Sequence, residues 1–217
     1  MATAAQIQDA YIDYVLTHNE EPKSVYVFAK NIGITEQEFY NFYSSFIAVE
    51  KAIWVDLTIE AIDKIQQQEV WATYTSREKI LAFFYAYIEL LKSKRSFVVY
   101  SLKKSRTHVS TPEVLHGTRT VFEAFAENII KSGLDSGELA DRRFLSKRYK
   151  DALWIQFGII LNFWINDSST NFEKTDEAIE RGVNVTFNLF QRSPLDDIID
   201  YGKFVARNSR FKERMRF

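Results

Sequence analysis

The 217-residue chain contains no cysteine. That removes disulfide cross-links, thiolate metal sites and a cysteine nucleophile, and it fits a reducing compartment. Proline and glycine are scarce, at three and seven residues, which disfavours a turn-rich β architecture and favours long helices. No apolar run approaches the roughly 18 to 20 residues of a membrane span. The N-terminal MATAAQIQDAYIDY lacks the basic and apolar regions of a secretory signal. A soluble, cytoplasmic protein is expected. Catalytic signatures are missing as well: His18, His108 and His116 stand on separate segments, without a glycine-rich phosphate loop, a nucleophile elbow or an HExxH sequence. Neither an enzyme nor a cofactor is expected.

Charge is near balance over the chain, at −1, but unevenly placed. Residues 1–50 hold two lysines against seven carboxylates, a net −5, whereas the segment from Lys203 onward holds six basic residues against Glu213, a net +5. The two ends are electrostatic opposites.

What is present is helical periodicity. In Ser24 to Tyr43, SVYVFAKNIGITEQEFYNFY, Ser24 suits an N-cap, Val25, Phe28, Ala29 and Ile32 share one helical face, and Gly33 stands where a left-handed cap is needed. Thr35 then caps a second helix, with Glu38 three residues on completing a capping box. The pattern predicts a helix-turn-helix. Tyr, Val and Phe near Ser24 also suit a strand, but caps, spacing and glycine agree on helices.

An amphipathic first helix, the S-V-x-x-F-A-x-x-x-G-I-T stretch and F-Y-N-F-Y ahead of a longer helix resemble the TetR family of bacterial repressors. Gly33, Ile34, Thr35, Phe39, Tyr40, Tyr43 and Ser45 fall on the matching positions. The detailed likeness covers about the first quarter of the chain; beyond it, length and an all-helical pattern agree. It implies an all-α, TetR-like fold with a helix-turn-helix domain over 1–50, a ligand-binding and dimerisation domain over 51–193, and a basic extension over 194–217 beyond the usual family end. It also implies DNA contacts on the second helix of the motif. Tyr40 matches the family's phosphate-contacting tyrosine, Asn41 a position that commonly touches DNA, and Gln37 suits an adenine edge. The expected DNA-binding set is Ser24, Thr35, Gln37, Tyr40 and Asn41. Three departures stand against it: Glu36 and Glu38 put acid on the first turn, Phe42 lacks the usual hydroxyl, and Phe46 replaces a phosphate-gripping lysine.

Further along, helices are expected over about 47–68, 76–91, 111–132, 144–165 and 173–190, with Ser76 and Thr111 as N-caps and Gly133 as a terminator. The last two carry apolar residues on two faces each, among them Ile155, Ile159 and Phe163, then Val185 and Leu189. This surplus suits the four-helix dimer interface that the resemblance implies, or the centre of a monomeric bundle. Lys92, Lys94, Arg95, Lys103, Lys104 and Arg106 run without an acid between them and read as a solvated surface or as a phosphate or lipid contact. The expected ligand-binding set is Phe83, Phe84, Tyr87, Phe122, Phe125, Trp154, Phe157 and Trp164, which implies an apolar or aromatic ligand unless these rings are ordinary core. The basic tail suits the acidic head, nucleic-acid phosphates, or neither. Taken together, the expected function is transcriptional regulation by a homodimer that binds operator DNA under ligand control. The alternative is a lipid-binding or hydrophobic small-molecule-binding protein of the same fold that has lost its operator.

Overall fold

The computed structural model describes residues 2–104, 111–142 and 146–191. Within them every regular element is helical: α1 (Ala4–His18), α2 (Val25–Asn31), α3 (Glu36–Tyr40), α4 (Phe46–Gln66), α5 (Ser76–Ser93), α6 (Arg95–Lys104), α7 (His116–Asp135), α8 (Tyr149–Asn166) and α9 (Glu173–Phe190). Short 3-10 turns precede α5, α7, α8 and α9. None of the described helices is long and apolar enough to cross a membrane. The expected all-α class is the observed one.

Helix α4 organises the molecule. Its 21 residues make a rod about 31 Å long, packed on α1 near its start and on α5 and α7 further along. Its inner stripe of Val49, Ile53, Trp54, Leu57, Ala61 and Ile65 is buried along the whole length. The expected domain division near residue 50 therefore falls inside an uninterrupted helix. Around α4 the body closes through α7 on α8, α8 on α9 and α9 on α5.

Several helix ends differ from the sequence expectation. Helix α5 is capped by Thr75, not Ser76: Thr75 Oγ1 accepts from Glu78 N while Glu78 returns to Thr75 N across 2.8 Å. Ser76 is buried inside the first turn, and Glu138 from beyond α7 accepts from its backbone N–H at 2.9 Å. Thr111 caps nothing; a 3-10 turn over Glu113–Leu115 intervenes and α7 begins at His116. Gly133 does not end that helix. It lies within α7, where a Cβ would come within 2.8 Å of Leu139 and Ser76 atoms, so this glycine permits a close approach, and Gly137, at φ +77, makes the turn beyond the helix. Helix α9 has the expected bounds. The basic extension from 194, His108 and Arg106 lie outside the described residues.

Candidate nucleic-acid interface and ligand core

The helix-turn-helix forms as its sequence dictates. Ser24 Oγ accepts from Val27 N at 3.2 Å. Gly33 takes φ +75, a region open to glycine, and Ile34 N closes the turn on Ala29 O at 3.0 Å. Thr35 and Glu38 complete the capping box, with Glu38 Oε2 accepting from Thr35 N at 2.9 Å and Thr35 Oγ1 accepting from Glu38 N at 3.1 Å. These bonds hold the Glu38 carboxyl below its ordinary pKa, the Thr35 backbone N–H first among the causes. Beneath the motif, Phe28, Phe39 and Phe46 meet at ring separations of 5.4 to 6.1 Å, and Tyr11 stacks on Phe46 at 5.7 Å.

The five expected DNA-facing residues are all exposed, on one short supersecondary unit. Ser24 and Thr35 spend their hydroxyl oxygens on caps; Gln37, Tyr40 and Asn41 point outward from α3 and its end. Glu36 is exposed beside them, whereas the Glu38 carboxylate folds back on the helix start. Phe46, in the family's lysine position, packs into the head core. Sequence reasoning singled out Tyr40 and Phe42, 52 and 44% exposed, but missed Tyr26 and Val27 on the outer face of α2, 59 and 43% exposed. Their signal was available: Tyr26 and Val27 lie about 200° around the helix from Phe28 and Ala29 respectively, the two that are buried.

In the body, Phe83, Phe84, Tyr87, Phe122, Phe125, Trp154 and Phe157 come together from α5, α7 and α8. Phe83 lies 5.0 to 5.5 Å, ring centre to ring centre, from Phe84, Tyr87, Phe122 and Phe125. Phe157 lies 5.2 Å from both Tyr87 and Phe122 and 4.8 Å from Trp154. The rings fill the space between the helices against one another. Trp164, the eighth, is elsewhere. It packs on Phe172 under the guanidinium of Arg95. Among the described residues, three buried donors lack partners of hydrogen-bonding geometry: the Tyr87 hydroxyl, Trp164 Nε1 and Arg77 Nε. Burial pushes the Tyr87 pKa up, with Thr58 opposing it, but the Thr58 hydroxyl donates to Trp54 O at 2.8 Å.

Two polar junctions had no local sequence signal. Glu50 is fully buried on α4; Tyr11 of α1 donates to it at 3.1 Å and Ser101 of α6 at 2.5 Å, while Trp54 Nε1 donates to Ser101 Oγ at 2.9 Å. Arg95, at the start of α6, donates to the carbonyls of Trp164, Ile165 and Asp167 at 2.9, 3.1 and 3.3 Å. Its guanidinium lies 4.6 Å from the Trp164 and Phe172 rings. Lys92 pairs with Glu89 at 2.8 Å and Lys94 with Asp9 at 3.8 Å. Part of the basic stretch thus has partners within the protein.

Open space lies outside the ring cluster. A cleft of about 470 Å³ runs between α4, α5 and α9 past Lys64, Gln68, Tyr85, Ala86, Lys92 and Asp176. A second, of about 380 Å³, separates α1 from α6 beside Leu16, Arg95, Tyr100 and Lys103.

A helix-turn-helix head joined through one shared helix to a larger helical body defines a class of all-helical, two-part architecture. The description "Tetracyclin repressor-like, C-terminal domain" matches residues 79–205. That is more than half of the chain, which belongs to the TetR family, one of transcription regulators. Residues 194–205, expected beyond the family's end, fall inside the match. No curated protein matches the chain. Solved structures of similar fold include a protein of Shewanella sp. PV-4 assigned to the tetR family of transcription regulators, at 12% identity over 89% of this chain and 100% of that one, TM-score 0.59. A TetR family transcription regulator from Marinobacter aquaeolei VT8 is 18% identical over 87% of this chain and 96% of its own, TM-score 0.53. The fatty acid degradation regulator FadR from Bacillus halodurans is 15% identical over 85% and 94%, TM-score 0.56. At these identities the likeness is one of fold.

Proposed function

We propose that the chain binds operator DNA as a homodimer under the control of an apolar ligand. The observation that carries this reading is the joint exposure of Gln37, Tyr40 and Asn41 on α3, at the end of a head whose first helix is bonded, through Glu50, to both α4 and α6. Such a head presents one side chain suited to a base edge and two suited to phosphate or sugar. Support for the dimer comes from α8 and α9. Ile155, Ile159 and Phe163, 61, 57 and 40% exposed, and Val185 and Leu189, 61 and 65% exposed, form apolar stripes that a monomer leaves in water. A symmetric four-helix contact buries both stripes at once.

The ligand reading rests on the Tyr87 hydroxyl. An unsatisfied buried hydroxyl costs about 1–3 kcal/mol, which an apolar ligand carrying one acceptor recovers by parting the rings around Phe83 and Phe157. Rearranging α5, α7 and α8 acts on α4 and on the head it carries.

One observation favours a second reading, a hydrophobic-ligand binder of the same fold without an operator: Glu36 is exposed on the reading face while Phe46 is half-buried against Phe39. Titration of the purified protein against the DNA upstream of its own gene, across salt, with Tyr40→Ala as control, separates the two. A saturable complex that weakens steeply with salt and is lost in the variant is expected. A folded dimer that binds no DNA even at low salt overturns the operator reading and leaves the ligand binder.

A further inference from the structure

We propose that the exposed face of the head formed by Tyr26, Val27, Tyr40 and Phe42 is the docking site for the chain's own residues 206–217, ARNSRFKERMRF. This goes beyond operator binding and does not require it. Three observations converge. First, the four side chains are 43 to 59% exposed, Tyr26 and Val27 on α2, Tyr40 on α3 and Phe42 in the turn that follows α3. Second, the head is acidic where a DNA-reading surface is ordinarily basic. Of its seven carboxylates, Glu38 is held in a capping box and Glu50 is buried, but Asp13, Glu20 and Glu36 are exposed. Third, the family match ends at residue 205. The segment beyond it carries Arg207, Arg210, Lys212, Arg214 and Arg216 against Glu213, a net +4, interleaved with Phe211, Met215 and Phe217.

The chemistry of the two surfaces is complementary. Guanidinium groups stack on the faces of Tyr and Phe rings and pair with carboxylates in the same approach. Aromatic side chains of the segment bury against exposed aromatic rings. Opposite net charge steers the encounter.

Reach permits it. Helix α9 ends at Phe190, whose carbonyl accepts from Ala140 N at 2.8 Å. Two residues before Ala140, Glu138 binds the start of α5. The departure point is therefore at the end of the body away from the head, roughly the 31 Å length of α4 distant. Residues 192–205 span at most about 50 Å at 3.3–3.6 Å per residue. Docking covers Tyr40, so the segment and an operator exclude one another.

The test is hydrogen–deuterium exchange on the full chain and on a chain ending at Val205, with a synthetic 206–217 peptide added back to the latter. Shortening is expected to speed exchange of α2 and α3 amides several-fold with the rest unchanged. The peptide is expected to restore protection at about 50 mM salt and to bind about tenfold more weakly at about 500 mM. Tyr26→Ala with Phe42→Ala in the full chain is expected to reproduce the shortened chain's exchange. Equal exchange of α2 and α3 in both chains, or protection by the peptide of another surface, overturns the proposal. Where an operator complex forms, the shortened chain is expected to bind it several-fold more tightly; weaker binding assigns the segment to DNA phosphate and likewise overturns it. Without any operator complex, the exchange data decide alone.

Discussion

The Ser101 hydroxyl donates to Glu50 Oε1 across 2.5 Å, joining α6 to α4 through residues 51 positions apart. Tyr11 reaches the same carboxylate from α1, so one buried side chain ties head, shared helix and body together. Burial, then the Glu50 charge, pushes the Tyr11 pKa upward and keeps its hydroxyl protonated as a donor. Ser101→Ala removes a donor to Glu50 and the acceptor of Trp54 Nε1. It is expected to lower unfolding free energy by about 1–3 kcal/mol, the cost of leaving the buried Trp54 N–H unsatisfied, while Glu50 keeps Tyr11 as a donor. Urea denaturation measures the loss. Hydrogen exchange tests the tie: α1 amides as well as α6 amides are expected to open, and an effect confined to α6 refutes a link to the head.

Arg95 tests a second junction. A lysine there retains charge but cannot meet three carbonyls with a planar fork or stack between Trp164 and Phe172. Arg95→Lys is expected to cost about 2 kcal/mol, seen as a fall in melting temperature of several degrees. Retention of the wild-type melting temperature contradicts the assignment.

Asp167 gives a pH dependence. Burial opposes its charge, but hydrogen bonds from Thr175 and Ser169 outweigh burial and hold its pKa at about 2. The folded-state value lies below the ordinary carboxylate value, so the stabilisation is present above about pH 4 and is lost as pH falls towards 2. Asp167→Asn is expected to lower stability at pH 7 by about 1–2 kcal/mol. The difference is expected to close on acidification, and a gap constant from pH 7 to 2.5 counts against it.

The α8–α9 stripes yield a prediction that separates association from folding. Ile159 is 57% and Leu189 65% exposed, so Ile159→Asp and Leu189→Asp are expected to leave monomer stability within about 0.5 kcal/mol. The same changes bury an unpaired carboxylate in a symmetric interface and are expected to produce monomers. Sedimentation equilibrium of wild type and variants decides between this and a protein monomeric from the outset.

The sequence by itself determined the helices and their caps wherever the cause is local. Gly33 and the Thr35–Glu38 box follow from residues within a turn of one another. So do the buried and exposed stripes of α8, which a period of 3.6 writes directly into the chain. Ends set by distant partners were not legible. The start of α5 was legible in T-S-R-E, as the Thr75–Glu78 box, and was misread as a Ser76 cap; what no local pattern shows is that Glu138, 62 positions away, accepts from Ser76 N. Gly133 looked like a terminator because its reason is the approach of Leu139 and Ser76. The aromatic set was legible as apolar, but only packing decided that seven rings fill one space and that Trp164 lies under Arg95. Glu50 and Arg95 were legible only as charges. What they bond lies 39 to 72 positions away, a separation no helical period encodes and one that exists only once α1, α4, α6 and α8 have packed.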